Sequence, residues 1–149
     1  MAGRKDLSTA GSATVELALI VPVLVLVMLG VLDLGRVFYR AITVANAARA
    51  GVAFGSVNPT NAADIAGMEA AAAADAQDVT GLTISAARYC ECGTLSPTSI
   101  DCTAAACADS SPPRIYVQVT VAGTFTPTVP YPGLPELITI TRVAHMRAQ

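Results

Sequence analysis

Two groups of residues in this 149-residue chain have types and spacings that could do chemistry: Glu16, set against an apolar run, and four cysteines between positions 90 and 107. Glu16 directly precedes Leu17–Leu32 (LALIVPVLVLVMLGVL), sixteen positions without a charge. A carboxylate at the edge of such a span needs water or a cationic partner. Snorkelling to the interface is the simplest solution. The preceding Gly11-Ser12-Ala13-Thr14-Val15 offers another. If the backbone is cut after Gly11, Ser12 gains an α-amino group four residues, or about 6 Å of helix, from Glu16. In a staggered neighbouring copy, that ammonium and the carboxylate would share a depth and neutralise one another, whereas either alone would be penalised. The pair would then set the register of stacked helices.

Cys90-x-Cys92 and Cys102-x4-Cys107 could be read as a zinc site, but zinc knuckles favour C-x2-C and these spacings miss it. Two disulfides are predicted instead. Cys90 and Cys92 lie at i and i+2 of a strand-like segment, about 6.6 Å apart, and do not suit a bond with each other. Two pairings remain open: Cys90–Cys102 with Cys92–Cys107, or Cys90–Cys107 with Cys92–Cys102. Each closes a short loop, stabilising by about 2–3 kcal/mol through the unfolded ensemble. His145, the single histidine, has no carboxylate or cysteine pattern around it and is expected on a strand face. No phosphate loop, nucleophile elbow or metal-binding helix motif occurs. No catalytic residue, metal or cofactor is predicted.

The elements that carry these residues follow from hydropathy. Twelve of the sixteen apolar positions are Leu, Ile or Val. Their insertion sum, about −4 to −7 kcal/mol, outweighs the roughly 2.5–3.5 kcal/mol charged against one central acid. Ala13–Leu34 gives twenty-two residues. That is about 33 Å of helix against a hydrocarbon core of about 30 Å, with Glu16 and Asp33 both near the headgroups. Pro22 within the span leaves one backbone carbonyl without its donor. Arg4 and Lys5 also resemble the start of a cleaved secretory signal. The nearest small-residue cleavage pattern, Ala45-Asn46-Ala47, lies beyond Arg36 and Arg40, so a retained anchor is expected.

Arg36, Arg40 and Arg49 follow the span, and by the positive-inside rule they favour a cytoplasmic C-terminal part. The even cysteine set favours an oxidising space, and the C-terminal domain is placed in a periplasm or cell exterior on that ground. A net charge of −2 with no basic tract or stacking-aromatic pattern gives no sign of a nucleic-acid partner, and none is expected.

Past the membrane the helix is expected to continue to Gly51–Gly55, with Arg36, Arg40, Thr43, Asn46 and Arg49 on a wet face. Leu34, Val37, Phe38, Ala41, Ala45 and Ala48 are expected to form the apolar face. Asp33 and Arg36, at i and i+3, are expected to pair locally at the membrane exit, worth a few tenths of a kcal/mol. Gly55–Pro59 is a break. Asn61 and Asp64 form a weak capping box opening a second helix over 62–77. Alternating apolar residues predict strands at about 82–90, 114–122 and 137–146. Pro127, Pro130, Pro132 and Pro135 predict a rigid extended loop between the last two. The fold class is α+β. A leader of 1–11 is followed by a transmembrane and amphipathic helix over 12–55 and a head domain over 56–149.

A glycine with glutamate at the fifth following position, before a long apolar helix, resembles type IV prepilins and pseudopilins. GSATVELALIVPVLVLVMLGVLDLGRVFYRAITVANAARAGVAFGS more narrowly resembles the TadE-like family, pilin-like accessory proteins of the Flp (Tad) pilus system. In that family a VE-apolar-Pro start, an acid-x-Gly-Arg element and an NAAR-x-G stretch recur in order. Here these are Val15-Glu16 with Pro22, Asp33-Leu34-Gly35-Arg36, and Asn46-Ala47-Ala48-Arg49-Ala50-Gly51. Thr141–Arg147 is similar to the family's last strand. The strong likeness spans Gly11–Gly55, about a third of the chain. Leu17 stands where Phe or Tyr is common, and Ser12 where an aromatic or methionine is.

The resemblance implies cleavage between Gly11 and Ser12 by a prepilin peptidase, and an inner-membrane subunit with a periplasmic head. It also implies partners among other pilin-like subunits and the pilus assembly machinery, with no small-molecule substrate. Pro22, Asp33, Gly35, Arg36, Asn46 and Arg49 become candidate helix-packing and membrane-exit positions. Two rival readings are a signal-anchored periplasmic binding module and a membrane-tethered enzyme, the latter requiring a metal at the cysteines.

Overall fold

The computed structural model describes residues 8–93, 98–100, 102–103, 107, 110–131 and 133–149. Most of the expected leader, residues 1–7, lies outside them. Helix α1 runs unbroken over Ser8–Gly55, 48 residues, about 72 Å at 1.5 Å per residue. It begins ahead of the expected cleavage bond and continues through Pro22. Its two halves differ. From residue 13 to 32 every position is exposed except the half-buried Leu29 and Gly30. Beyond Thr43 one face is fully covered, through Val44, Ala47, Ala48 and Val52.

That face is not the one expected from apolar residues alone. Leu34 and Phe38 are 54% and 59% exposed, and the core face is rotated onto Thr43, Val44, Ala47, Ala48, Gly51, Val52 and Gly55. The cause is steric. A methyl group on Gly51 would lie 2.9 Å from the Met68 carbonyl oxygen and 3.0 Å from Val119 Cγ2. Small residues let the helix backbone approach the sheet to a distance that Phe38 or Leu34 would forbid.

The expected second helix is divided. Helix α2 spans Pro59–Ala63 and α3 spans Ile65–Asp75. Asn58, extended at φ −160°, caps α2 by accepting from the Asn61 amide, and Pro59 sits in the first helical position. Its fixed φ and missing N–H suit that site. Asp64 interrupts the helix and caps α3, its carboxylate accepting from the Gly67 amide at 2.8 Å. The Asn61–Asp64 capping box therefore does not form. Asn61 instead donates to the Phe54 carbonyl at 3.1 Å, tying α2 to the end of α1.

Four antiparallel strands follow, β1 (Leu82–Cys92), β2 (Thr98–Ile100), β3 (Arg114–Phe125) and β4 (Ile138–Arg147), in the order β2-β1-β3-β4. The three expected strands are the long ones, and β2 is a three-residue addition. The alternation read from sequence holds: Val117, Val119 and Val121 face the helices, with Ile84 and Ala86 of β1 and Ala144 of β4 on the same side by register. Met68 and Ala72 of α3 complete the core. Glu69 Oε1 accepts from the Ala86 amide at 3.1 Å, covering a β1 edge position that β2 is too short to reach. Ala148 and Gln149 donate backbone hydrogen bonds to Ile115 and Ser56, closing the sheet against the end of α1.

Candidate functional site: an exposed rod and its junction with the head

The sites read from the sequence fall in three separate places. Gly11 and Ser12 lie in the opening turns of α1. Glu16 follows, exposed like its neighbours. Val15–Met28 forms the outer rod, and no part of the head covers the most apolar stretch of this helix. An uncovered helix of this length and hydropathy is the form a single membrane span takes. Pro22 sits within it, exposed.

The second place is the junction, about 26 Å along the axis from Glu16. Asp33 is 5% exposed. Its carboxylate accepts from the Thr128 amide at 2.9 Å and the Thr128 hydroxyl at 2.7 Å, with the Tyr131 hydroxyl at 3.4 Å. The expected pair with Arg36 is present at 3.2 Å, yet Arg36 Nη1 also donates to Thr128 Oγ1 at 2.7 Å. The Arg36 guanidinium lies 5.4 Å from the centroid of Phe125, within cation–π reach. Asp33 and Arg36 thus fasten the β3–β4 loop to the helix, a role larger than a local surface pair. One turn on, Tyr39 donates to the Asp78 carboxylate and Arg40 Nη2 to the Thr80 carbonyl, fastening the α3–β1 connection. Between the two clamps lies a cleft of about 500 Å³, floored by Val31, Leu32 and Gly35. A Cβ on Gly35 would meet nothing within 4 Å, so packing within the chain does not require glycine there. Asn46 and Arg49 are exposed farther along α1, beside Phe38, Ile42 and Arg142.

Sequence reasoning missed Thr128, Tyr131, Tyr39 and Asp78. The signal available was the proline-rich loop itself, whose stiffness obliges it to return against something fixed.

The third place is the cysteine cluster. The structure pairs Cys90 with Cys102 and Cys92 with Cys107, with Cα separations of 5.1 and 5.7 Å. Of the two open pairings this is the one that β2 favours, since Ile100 lies opposite Cys90 and Cys102 follows two residues later. No cysteine is left free, and no cluster of three or more metal-ligating side chains occurs among the described residues. His145 lies exposed on β4, opposite Gln118.

An uncovered apolar rod is thus fused without a linker to a small disulfide-braced head. Residues 11–53 match the profile of the TadE-like protein family. The TadE-like stretch takes in the whole rod, both junction residues Asp33 and Arg36, and the small-residue face through Val52. It stops short of the sheet. TadE-like proteins are associated with the Tad pilus system, a structural and non-enzymatic setting. No curated protein and no solved structure matches the chain.

Proposed function

We propose that this TadE-like chain is a pilin-like membrane subunit of a Flp/Tad-type pilus. In this reading a prepilin peptidase removes residues 1–11, α1 holds the mature subunit in the inner membrane, and the head lies in the periplasm. The rod then associates with the rods of other pilin-like subunits, the Ser12 amine meeting a neighbour's Glu16. The observation that carries this reading is the rod's complete exposure through Val15–Met28, with the one carboxylate of that stretch lacking cover from the head. A cation at matching depth in a neighbour would relieve the cost of holding that charge beside lipid.

Mass spectrometry of membrane-extracted protein tests processing. The expected mass corresponds to a chain beginning at Ser12, and an intact N-terminus overturns that step. Glu16→Leu tests assembly: membrane insertion is expected to persist while co-purification with pilin-like partners is lost. Unimpaired co-purification would favour the anchored binding module instead.

A further inference from the structure

In the β3–β4 connection, Thr128 and Tyr131 lie back along α1, beside Asp33 and Gly30. A methyl group on Gly30 would lie 3.7 Å from the Tyr131 hydroxyl. Gly30 stands four residues inside Leu34, about 6 Å along the axis from the end of the span. Asp33 holds the loop at this level through Thr128 and Tyr131. The loop then turns, the Leu134 amide donating to the Tyr131 carbonyl at 3.1 Å with Gly133 at φ +86°. Leu134 and Leu137 are 57% and 54% exposed. Glu136 is the single charged residue between 126 and 137.

A turn at the end of a water-facing domain is ordinarily polar. This one carries two exposed leucines beside a tyrosine whose hydroxyl is engaged at the lip of the span. Amphipathic tyrosine rings concentrate where hydrocarbon meets headgroups, and exposed leucines gain by entering that layer.

We propose that the described part of the β3–β4 connection, residues 126–131 and 133–137, is a second membrane contact, resting in the headgroup layer of the bilayer that α1 spans. Tyr131, Leu134 and Leu137 enter lipid, and the Asp33–Thr128 bonds fix their depth. The partner is the phospholipid surface itself. The proposal rests on α1 being the anchor, and it concerns a part of the chain beyond the TadE-like stretch.

The chain has no tryptophan, so single substitutions report their own surroundings. Leu134→Trp, Leu24→Trp and Val57→Trp each replace a side chain that is at least half exposed. The full-length variants are reconstituted in vesicles of phosphatidylcholine and phosphatidylglycerol, with and without brominated acyl chains. Leu24→Trp is expected to be quenched from within the span, and Val57→Trp, two residues past the far end of α1, to be unaffected. The proposal expects Leu134→Trp to be quenched and blue-shifted toward the Leu24→Trp signal. If Leu134→Trp behaves like Val57→Trp while Leu24→Trp is quenched, the loop contact is overturned and the anchor stands. If neither Leu134→Trp nor Leu24→Trp is quenched, the anchor reading fails and the loop contact fails with it.

Discussion

Asp33 and Thr128 stand 95 positions apart in the chain, yet the Asp33 carboxylate accepts both the backbone amide and the hydroxyl of Thr128, at 2.9 and 2.7 Å. The acid at the end of the span is therefore the anchor point of the proline-rich loop. Asp33→Ala is expected to release that loop, and Asp33→Asn, which keeps one acceptor oxygen, to release it partly. Amide exchange over residues 126–137 measures this. Exchange that stays slow in Asp33→Ala would show that other contacts hold the loop.

The close approach of α1 to the sheet sets a second expectation. Gly51→Val would place side-chain atoms against the Met68 carbonyl and Val119, where even a single methyl group is already too near. Overpacking of this kind costs about 1–3 kcal/mol. Met68→Ala, at a fully buried position, errs in the other direction and should cost about 2–5 kcal/mol. Thermal or urea unfolding of the head checks both, with Gly35→Ala as a control that should not destabilise, because the space there is open and alanine favours a helix interior over glycine by about 0.5–1 kcal/mol.

Cys92–Cys107 spans a sequence separation of 15, for which the loop-entropy relation gives about 3 kcal/mol. Replacing both cysteines by serine is expected to lower head stability by that order while leaving the α1–β3 core in place. Peptide mapping without reduction should recover the pairs Cys90–Cys102 and Cys92–Cys107. Recovery of Cys90–Cys107 would overturn the pairing.

Tyr89 stacks on Tyr116 with ring centroids 5.5 Å apart. Burial raises the Tyr89 phenol above its ordinary value of 10.0, and the charges of Glu91 and Tyr116 add to the shift. A raised folded-state value means that the folded form prefers the neutral phenol. This contribution to stability is complete below the unfolded value near 10 and is lost as pH rises through the folded value. A phenolate absorbance titration should show a late component, to which Tyr39, raised by its hydrogen bond to Asp78, also contributes, and Tyr89→Phe should diminish that component. The alkaline stability loss should also be smaller in Tyr89→Phe.

Much of the architecture was legible because it depends on local pattern. The apolar run, the alternation at Ile115–Val121 and the break at Gly55–Pro59 each report a neighbourhood of a few residues. The core face of α1 was not legible in the same way. Phe38 and Leu34 are the more apolar residues, but the valine-lined face of β3 selects Ala47, Ala48 and Gly51 for size, and size matters only once the partner is known. Asn58 is hard to read as a cap because Pro59 beside it signals a break, although the same fixed φ also starts a helix. At the junction, Asp33 and Arg36 were visible as neighbours three residues apart, whereas Thr128 and Tyr131 reach them only through the register of β3 and the course of its loop. The cysteine spacings left two pairings open, and the short strand β2 resolves them by setting Ile100 across from Cys90.

Because α1 supplies the inner wall of the head through Val44, Ala47, Ala48 and Val52, rod and sheet turn as one piece. Advancing the rod's azimuth by one residue, about 100°, would swing the whole β-surface through the same arc. Neighbouring rods that lock together in the bilayer would thereby dictate which way each head looks outside it.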